Sequence, residues 1–219
     1  MGHCFYDTQP LSNGGGKAWP PASRRSDRAS GHVRLRPVRT LVAVASDAAS
    51  CTRCRLSATR TNVVFGVGNP DSGLLFVGEG PGRDEDLRGE PFVGRSGKLL
   101  DTLIAQELGL DRAGCYIANV VKCRPPQNRD PKPDEVESCM PFLAEQIAII
   151  APRVVVTLGN FATRALLESS EGISSLRGKS YPFRGGSLIP TYHPSYALRG
   201  GGAVVAEMRA DFIRVKETL

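Results

Sequence analysis

Leu74-Leu75-Phe76-Val77-Gly78-Glu79-Gly80-Pro81-Gly82 sets an apolar run directly against a glycine-rich turn. Consecutive large apolar side chains read as a strand buried on both faces, the kind found in parallel sheets covered by helices. The turn that closes the run places free backbone N–H groups at the strand's carboxyl end, where open α/β sheets bind ligands. Working outward, apolar runs near 116–121, 154–158 and 188–192 read as further strands. They alternate with helical patterns at 96–108, 134–150, 160–167 and 204–215. With right-handed crossovers this predicts an α/β fold, a three-layer α/β/α sandwich around a central four-stranded parallel sheet.

The chain has 219 residues, 41% of them hydrophobic, enough for one well-packed domain and an appendage. No apolar run approaches the ~18 residues of a membrane span. The N-terminus lacks an apolar segment after a basic start, and six cysteines are too sparse for a disulfide scaffold, so a reducing cytoplasm is expected. The formal net charge is +6, but residues 1–46 carry seven Lys and Arg against two Asp and hold five of those charges. Bulk charge therefore says little about what the folded domain binds. Residues 1–45, mixed Gly, Pro, Ser and Arg without period, are expected to be a disordered basic tail, with a DNA-touching arm as the functional alternative. Residues 46–219 are expected to form the catalytic domain.

Three segments can converge on the sheet's carboxyl edge: the glycine turn, Asn119 late in its strand, and His193 after the last strand. A glycine turn alone is as often a plain tight turn as a cradle. The stretch Glu85-Asp86-Leu87-Arg88-Gly89-Glu90-Pro91-Phe92-Val93-Gly94 adds an aromatic ring held between Pro and Gly, suited to stacking on a base. A single Phe is more often core. Asn119, in the apolar run Tyr116-Ile117-Ala118-Asn119-Val120-Val121, needs partners or costs about 1–3 kcal/mol. An amide can also both donate and accept against the edge of an extruded base. His193 is the one histidine outside the tail, and His193-Pro194-Ser195-Tyr196-Ala197-Leu198-Arg199 reads as a rigid exposed turn whose Leu198 and Arg199 could wedge into a duplex.

Cys51-Thr52-Arg53-Cys54 is a chelating spacing, and Cys123 and Cys139 lie either side of a proline-stiffened loop. Four thiolates suit tetrahedral zinc or an iron–sulfur cubane, and spacing alone does not choose between them. Cys115 and Cys4 read as unpaired.

Taken together, these motifs resemble the family 4 uracil-DNA glycosylases, the iron–sulfur branch of the uracil glycosylase superfamily, from about Cys51 to the C-terminus. The resemblance implies excision of uracil from DNA by hydrolysis of the N-glycosidic bond, the opening step of base excision repair. It implies a structural [4Fe–4S] cluster on Cys51, Cys54, Cys123 and Cys139. Phe92 would stack on the flipped uracil, Asn119 would read its N3 and O4 edge, and His193 with the main chain of Glu79 and Gly80 would serve O2. Leu198 and Arg199 would fill the vacated stack. Where better-known members carry an aspartate this chain has Gly80, so Glu79 is the expected water-orienting group, with Glu85 next. Gly82 stands where those enzymes place a tyrosine against the thymine methyl group, and Ala197 where the family often has leucine. A related branch bonds covalently to DNA through a Lys-Arg-Arg-Ile-His loop that residues 122–133 lack, so turnover is expected. The implied partner is uracil-containing DNA, single- or double-stranded, and the implied protein a cytoplasmic, nucleoid-associated monomer.

Two other classes compete. A non-catalytic iron–sulfur redox or DNA-sensing protein has no need of His193, Asn119 and Phe92 together. A phosphate cradle predicts Lys or Ser/Thr closing the glycine loop, whereas Arg83-Asp84-Glu85-Asp86 brings three acids there.

Overall fold

Along the strand Leu74–Gly78 the side chains alternate between two separate cores. Leu75 and Val77 join one and Leu74 and Phe76 the other, as period-2 geometry requires of a strand covered on both faces. The computed structural model describes residues 39–219. Its strands are β1 (Val67–Gly68), β2 (Leu74–Gly78), β3 (Tyr116–Asn119), β4 (Val154–Leu158), β5 (Tyr181–Phe183) and β6 (Gly186–Thr191). They form one sheet in the order β1-β3-β2-β4-β6-β5. The sheet therefore has six strands rather than the expected four. Its four central strands are parallel, and β1 and β5 add short antiparallel edges. At two and three residues, neither edge strand is long enough to carry a period.

The helices are α1 (Leu41–Ala49), α2 (Arg83–Arg88), α3 (Arg95–Leu103), α4 (Pro133–Ile150), α5 (Asn160–Leu167), α6 (Ile173–Leu176) and α7 (Pro194–Thr218). One core gathers α1, α4 and α5 through Val44, Ala48, Met140, Leu143, Ile147 and Ala162. The other gathers α3 and α7 through Leu100, Leu103, Met208 and Phe212. α4 starts on Pro133, whose missing N–H costs nothing at that position. The fully buried Glu135 reaches back to the Lys132 N–H at 2.8 Å and takes both arms of Arg129 at 2.7 and 2.8 Å. That bidentate pair anchors the loop leading into the helix.

Three boundaries differ from expectation. α1 begins before residue 46 and buries Val44 completely, so the boundary placed at 45/46 falls inside a helix. The pattern at 96–108 divides into α3 and one wider π turn, Ile104–Leu108. The segment after His193 is the first part of α7 and not an exposed turn; Gly201, at φ +73°, breaks that helix before the stretch expected at 204–215. Cys4, His3 and His32 lie outside the described residues, as does most of the expected tail. No helix among the described residues is long and apolar enough to cross a membrane.

Candidate active site

Parallel register aligns the carboxyl ends of the four central strands. Gly78 pairs with Asn119, and Leu158 with Thr191, so the loops that follow open onto one edge. There they enclose a cleft of about 950 Å³ whose lining includes Glu79, Gly80, Phe92, Asn119, His193 and Arg199. A cleft of that size is in the range of sites that enclose a ligand the size of a nucleoside or larger.

Asn119 is 1% exposed. Its Oδ1 is the single buried side-chain oxygen or nitrogen among the described residues without a hydrogen-bond partner. Leaving such an acceptor unpaired costs about 1–3 kcal/mol, so the folded chain holds it in reserve for something else. Gly78 makes room for it: a Cβ there would stand 2.4 Å from Oδ1 and 2.6 Å from the Phe92 ring.

Phe92 has a left-handed backbone, φ +53°, which is unfavourable for an aromatic residue. Arg112 holds it there, donating to the Phe92 carbonyl at 3.1 Å and the Pro91 carbonyl at 2.6 Å. Gly97 permits the tight approach of α3, since a Cβ there would lie 1.8 Å from the Phe92 oxygen. The ring ends 5.7 Å, centroid to centroid, from that of His193.

His193 caps α7. Its Nδ1 accepts the Ser195 backbone N–H at 3.1 Å and lies 2.8 Å from the Ser195 hydroxyl. A backbone N–H can only donate, so in the neutral ring the proton sits on Nε2, free to donate elsewhere. Burial, helped by the Arg199 charge, lowers the histidine's pKa to about 4 against the opposing pull of Glu85. At neutral pH it is an uncharged donor. Gly159, at φ +92°, must remain glycine beside it, because a Cβ would sit 2.8 Å from that of His193.

The two candidate carboxylates part company. Burial, then the like charge of Asp130, raises the Glu79 pKa to about 7. Glu85 instead accepts the backbone N–H groups of Gly82, Val93 and Gly94 at 3.0–3.1 Å, tying the glycine turn to the Phe92 loop. Gly80 has no space for an aspartate, since its Cβ would lie 2.7 Å from Val121 Cγ2. At Gly82 a Cβ would meet Glu85 Oε2 at 2.7 Å. Leu198 is 48% exposed and Arg199 is exposed at the mouth of the cleft, both on α7. Ala197 points the other way, fully buried in the core shared with α3, so it belongs to no wedge.

Cys51, Cys54, Cys123 and Cys139 line a second, smaller cavity with Arg60, Lys122 and Phe142. The Lys122 backbone N–H donates to Cys139 Sγ at 3.2 Å, and Arg60 Nη1 donates to Cys123 Sγ at 3.4 Å. Among the described residues no group of three or more His, Cys, Asp or Glu side chains is placed to hold a metal ion. Cys115 lies elsewhere, buried at the foot of β3, where burial pushes its thiol up to about 12. Arg112, Arg60 and Asp130 carry no signal in the sequence, because only folding brings them beside the motifs they serve; Lys122 adjoins Cys123 in sequence, but nothing there says that its side chain is buried.

A mostly parallel α/β sheet with a cleft at its carboxyl edge, one unpaired amide inside it and a neutral histidine beside an aromatic ring is the architecture of a ligand-binding α/β fold. The Uracil DNA glycosylase superfamily model matches residues 65–215. The type-4 uracil-DNA glycosylase of Sulfurisphaera tokodaii is 46% identical over 186 residues, 81% of this chain and 84% of the relative. That of Thermotoga maritima is 51% identical over 151 residues, 68% and 78% of the two chains. A type-5 uracil-DNA glycosylase of Thermus thermophilus is 31% identical over 169 residues, 66% and 74%. The chain belongs to the uracil DNA glycosylase superfamily.

Proposed function

We propose that the chain acts as a uracil-DNA glycosylase, hydrolysing the N-glycosidic bond of uracil in DNA, with the cleft residues in the following roles. The extruded uracil stacks on Phe92. Asn119 accepts the base's N3–H on Oδ1 and donates from Nδ2 to O4. Cytosine, with an acceptor at N3 and a donor at C4, mispairs on both counts. As the C1′–N1 bond breaks, its electron pair leaves on the base and its charge spreads to O2. There the neutral Nε2–H of His193 and the main chain at Glu79 and Gly80 donate. Water adds to the electron-poor C1′ and gives its proton to Glu79, whose pKa near 7 suits a base working at neutral pH. Glu85 is the clamp of the glycine turn and not a second base. Leu198 and Arg199 enter the vacated stack and meet phosphate. The orphaned Oδ1 of Asn119 is the observation that carries this reading.

The cysteine cavity fits a [4Fe–4S] cluster held by Cys51, Cys54, Cys123 and Cys139. The donor set is all sulfur, the four cysteines line one cavity, and N–H groups point at two of the four sulfurs. Such a cluster would supply cross-linking, joining the segment after α1, the loop after β3 and α4. The protein works as a monomer on single- or double-stranded DNA beside the nucleoid, and residues ahead of α1 are dispensable for chemistry.

Labelled oligonucleotides carrying one uracil, cytosine, thymine or hypoxanthine, incubated with the protein and then treated with alkali, test the assignment. Strand breaks at uracil are the expected result. Equal breakage at cytosine would refute the role of Asn119.

A further inference from the structure

Residues 119–123 begin with Asn119 in the base pocket and end with Cys123 in the cysteine cavity. Between them, Lys122 is 1% exposed, an unusual burial for a lysine. Its ammonium donates to the backbone carbonyl of Asn119 at 2.8 Å and to Oε1 of Gln146 on α4. Gln146 is itself fixed, its Nε2 donating to the Phe65 carbonyl at 2.9 Å and lying 3.4 Å from the Tyr116 hydroxyl. The lysine's backbone is held too, its N–H on Cys139 Sγ at 3.2 Å and its carbonyl receiving the Val64 N–H at 2.8 Å. The ionisable groups acting on it are the thiols of Cys139 and Cys123.

Packing does not call for a lysine here. An apolar side chain of the same length would fill the space without the cost of taking an ammonium out of water. What the ammonium adds is a grip on the Asn119 carbonyl. The Asn119 side-chain oxygen has no protein partner to orient it, so its aim depends on where its own backbone is held. One side of that backbone is secured by the sheet, which the chain prolongs through Val120 N–H to the Gly78 carbonyl at 2.9 Å and Val121 N–H to the Glu79 carbonyl at 3.0 Å. Lys122 secures it against α4 on the other side.

We infer that Lys122 is a positioning residue for base recognition: it braces the Asn119 main chain against Gln146 and α4, aiming the free amide at the base, and so links the cysteine site to the base pocket. This rests on Asn119 as the reader of uracil.

Lys122→Met keeps the length and apolar stem and removes the donor. In the full chain with its iron in place, free uracil as an inhibitor of excision reports the pocket, and visible absorbance with iron content reports the cysteine site. Lys122→Met should retain iron and bind uracil-DNA within about 2-fold of wild type. Single-turnover excision should fall about 10-fold and uracil inhibition weaken by a similar factor, the scale of one charge-assisted hydrogen bond. Gln146→Met, which leaves the lysine but removes its anchor, should show the same pattern at about 3-fold. Wild-type excision and uracil inhibition in Lys122→Met overturn the inference. A lower melting temperature with unchanged uracil inhibition in the folded protein overturns it equally, because that is all a scaffolding role predicts. Should Lys122→Met lose its fold or iron, the uracil inhibition of Gln146→Met decides in the same two directions. Failure of the glycosylase reading looks different: the unmodified protein releases no uracil.

Discussion

The base pocket and the cysteine cavity adjoin along the segment that follows β3 and solve opposite problems. The pocket is made by omission: Gly78, Gly80 and Gly159 leave out side chains that would collide with Asn119, Val121 and His193, and the result is open, with an acceptor unpaired. The cysteine cavity is small, half-open on the side of Cys51 and Cys54, and supplied with N–H donors aimed at sulfur. One region gives up stability to keep groups ready for a ligand. The other, with the proposed cluster bound, would hold distant segments together, which is the division expected between a site of chemistry and a site of support.

That contrast is broken most severely by any substitution that disturbs both regions equally. His193→Ala should lower single-turnover excision by about 10²-fold or more while cluster absorbance and DNA affinity stay near wild type, since one transition-state donor is lost. A parallel collapse in DNA binding would remove its catalytic role. Next in size is Glu79. With a pKa near 7, its carboxylate form grows about tenfold per pH unit up to that point and then levels. Excision should climb likewise between pH 5 and 7 and flatten above. His193, at about 4, stays neutral over that range and adds no second bend. Glu79→Gln should give a low, pH-independent rate, about 10- to 100-fold below wild type at pH 8. Because burial disfavours the ionised form, its cost appears above the unfolded carboxyl's pKa and is complete above 7. The same variant should therefore be more stable than wild type at pH 8, by about 1 kcal/mol after solvent screening, and no more stable near pH 4.

Cys139→Ser sharpens the comparison from the other side. It should lose visible absorbance and drop the melting temperature by about 10 °C or more, while the protein that remains folded loses no more than about 10-fold in excision. An unchanged melting temperature would deny the cavity its supporting role. Removal of residues 1–38 should leave excision of short oligonucleotides unchanged. Removal of 1–45 cuts into α1 and takes away the fully buried Val44, lowering the melting temperature by several degrees. Loss of excision on the shorter deletion would make the tail a working DNA arm.

The parts of this design that one segment states by itself could be read before folding. β2 is an unbroken apolar run and β4 one interrupted by Thr157, and the glycine turn and His193 lie at or within two residues of a strand's end, so their meeting at one edge follows from parallel topology. α1 was hidden because its apolar stretch abuts basic sequence with a proline at position 37 and exposes Val42, leaving little contrast between its faces. Leu198 and Arg199 were readable as exposed, but the helix carrying them was masked by three consecutive glycines that break it. What no segment states is which distant side chain holds a motif in place. Arg112 reaches twenty residues back to Phe92, and Lys122 joins Asn119 to Gln146 on α4. The Arg112–Phe92 and Lys122–Gln146 bonds depend on tertiary proximity and have no period or spacing to betray them, and the local Lys122–Asn119 bond matters only because Gln146 holds its far end.

The most direct measurement is the amount of free uracil, identified by mass, released from uracil-containing DNA per molecule of protein that retains its cluster absorbance. Several equivalents of uracil, with abasic DNA as the other product, are predicted by an open pocket that reads, cleaves and turns over. No free uracil from protein with its iron intact would contradict the account.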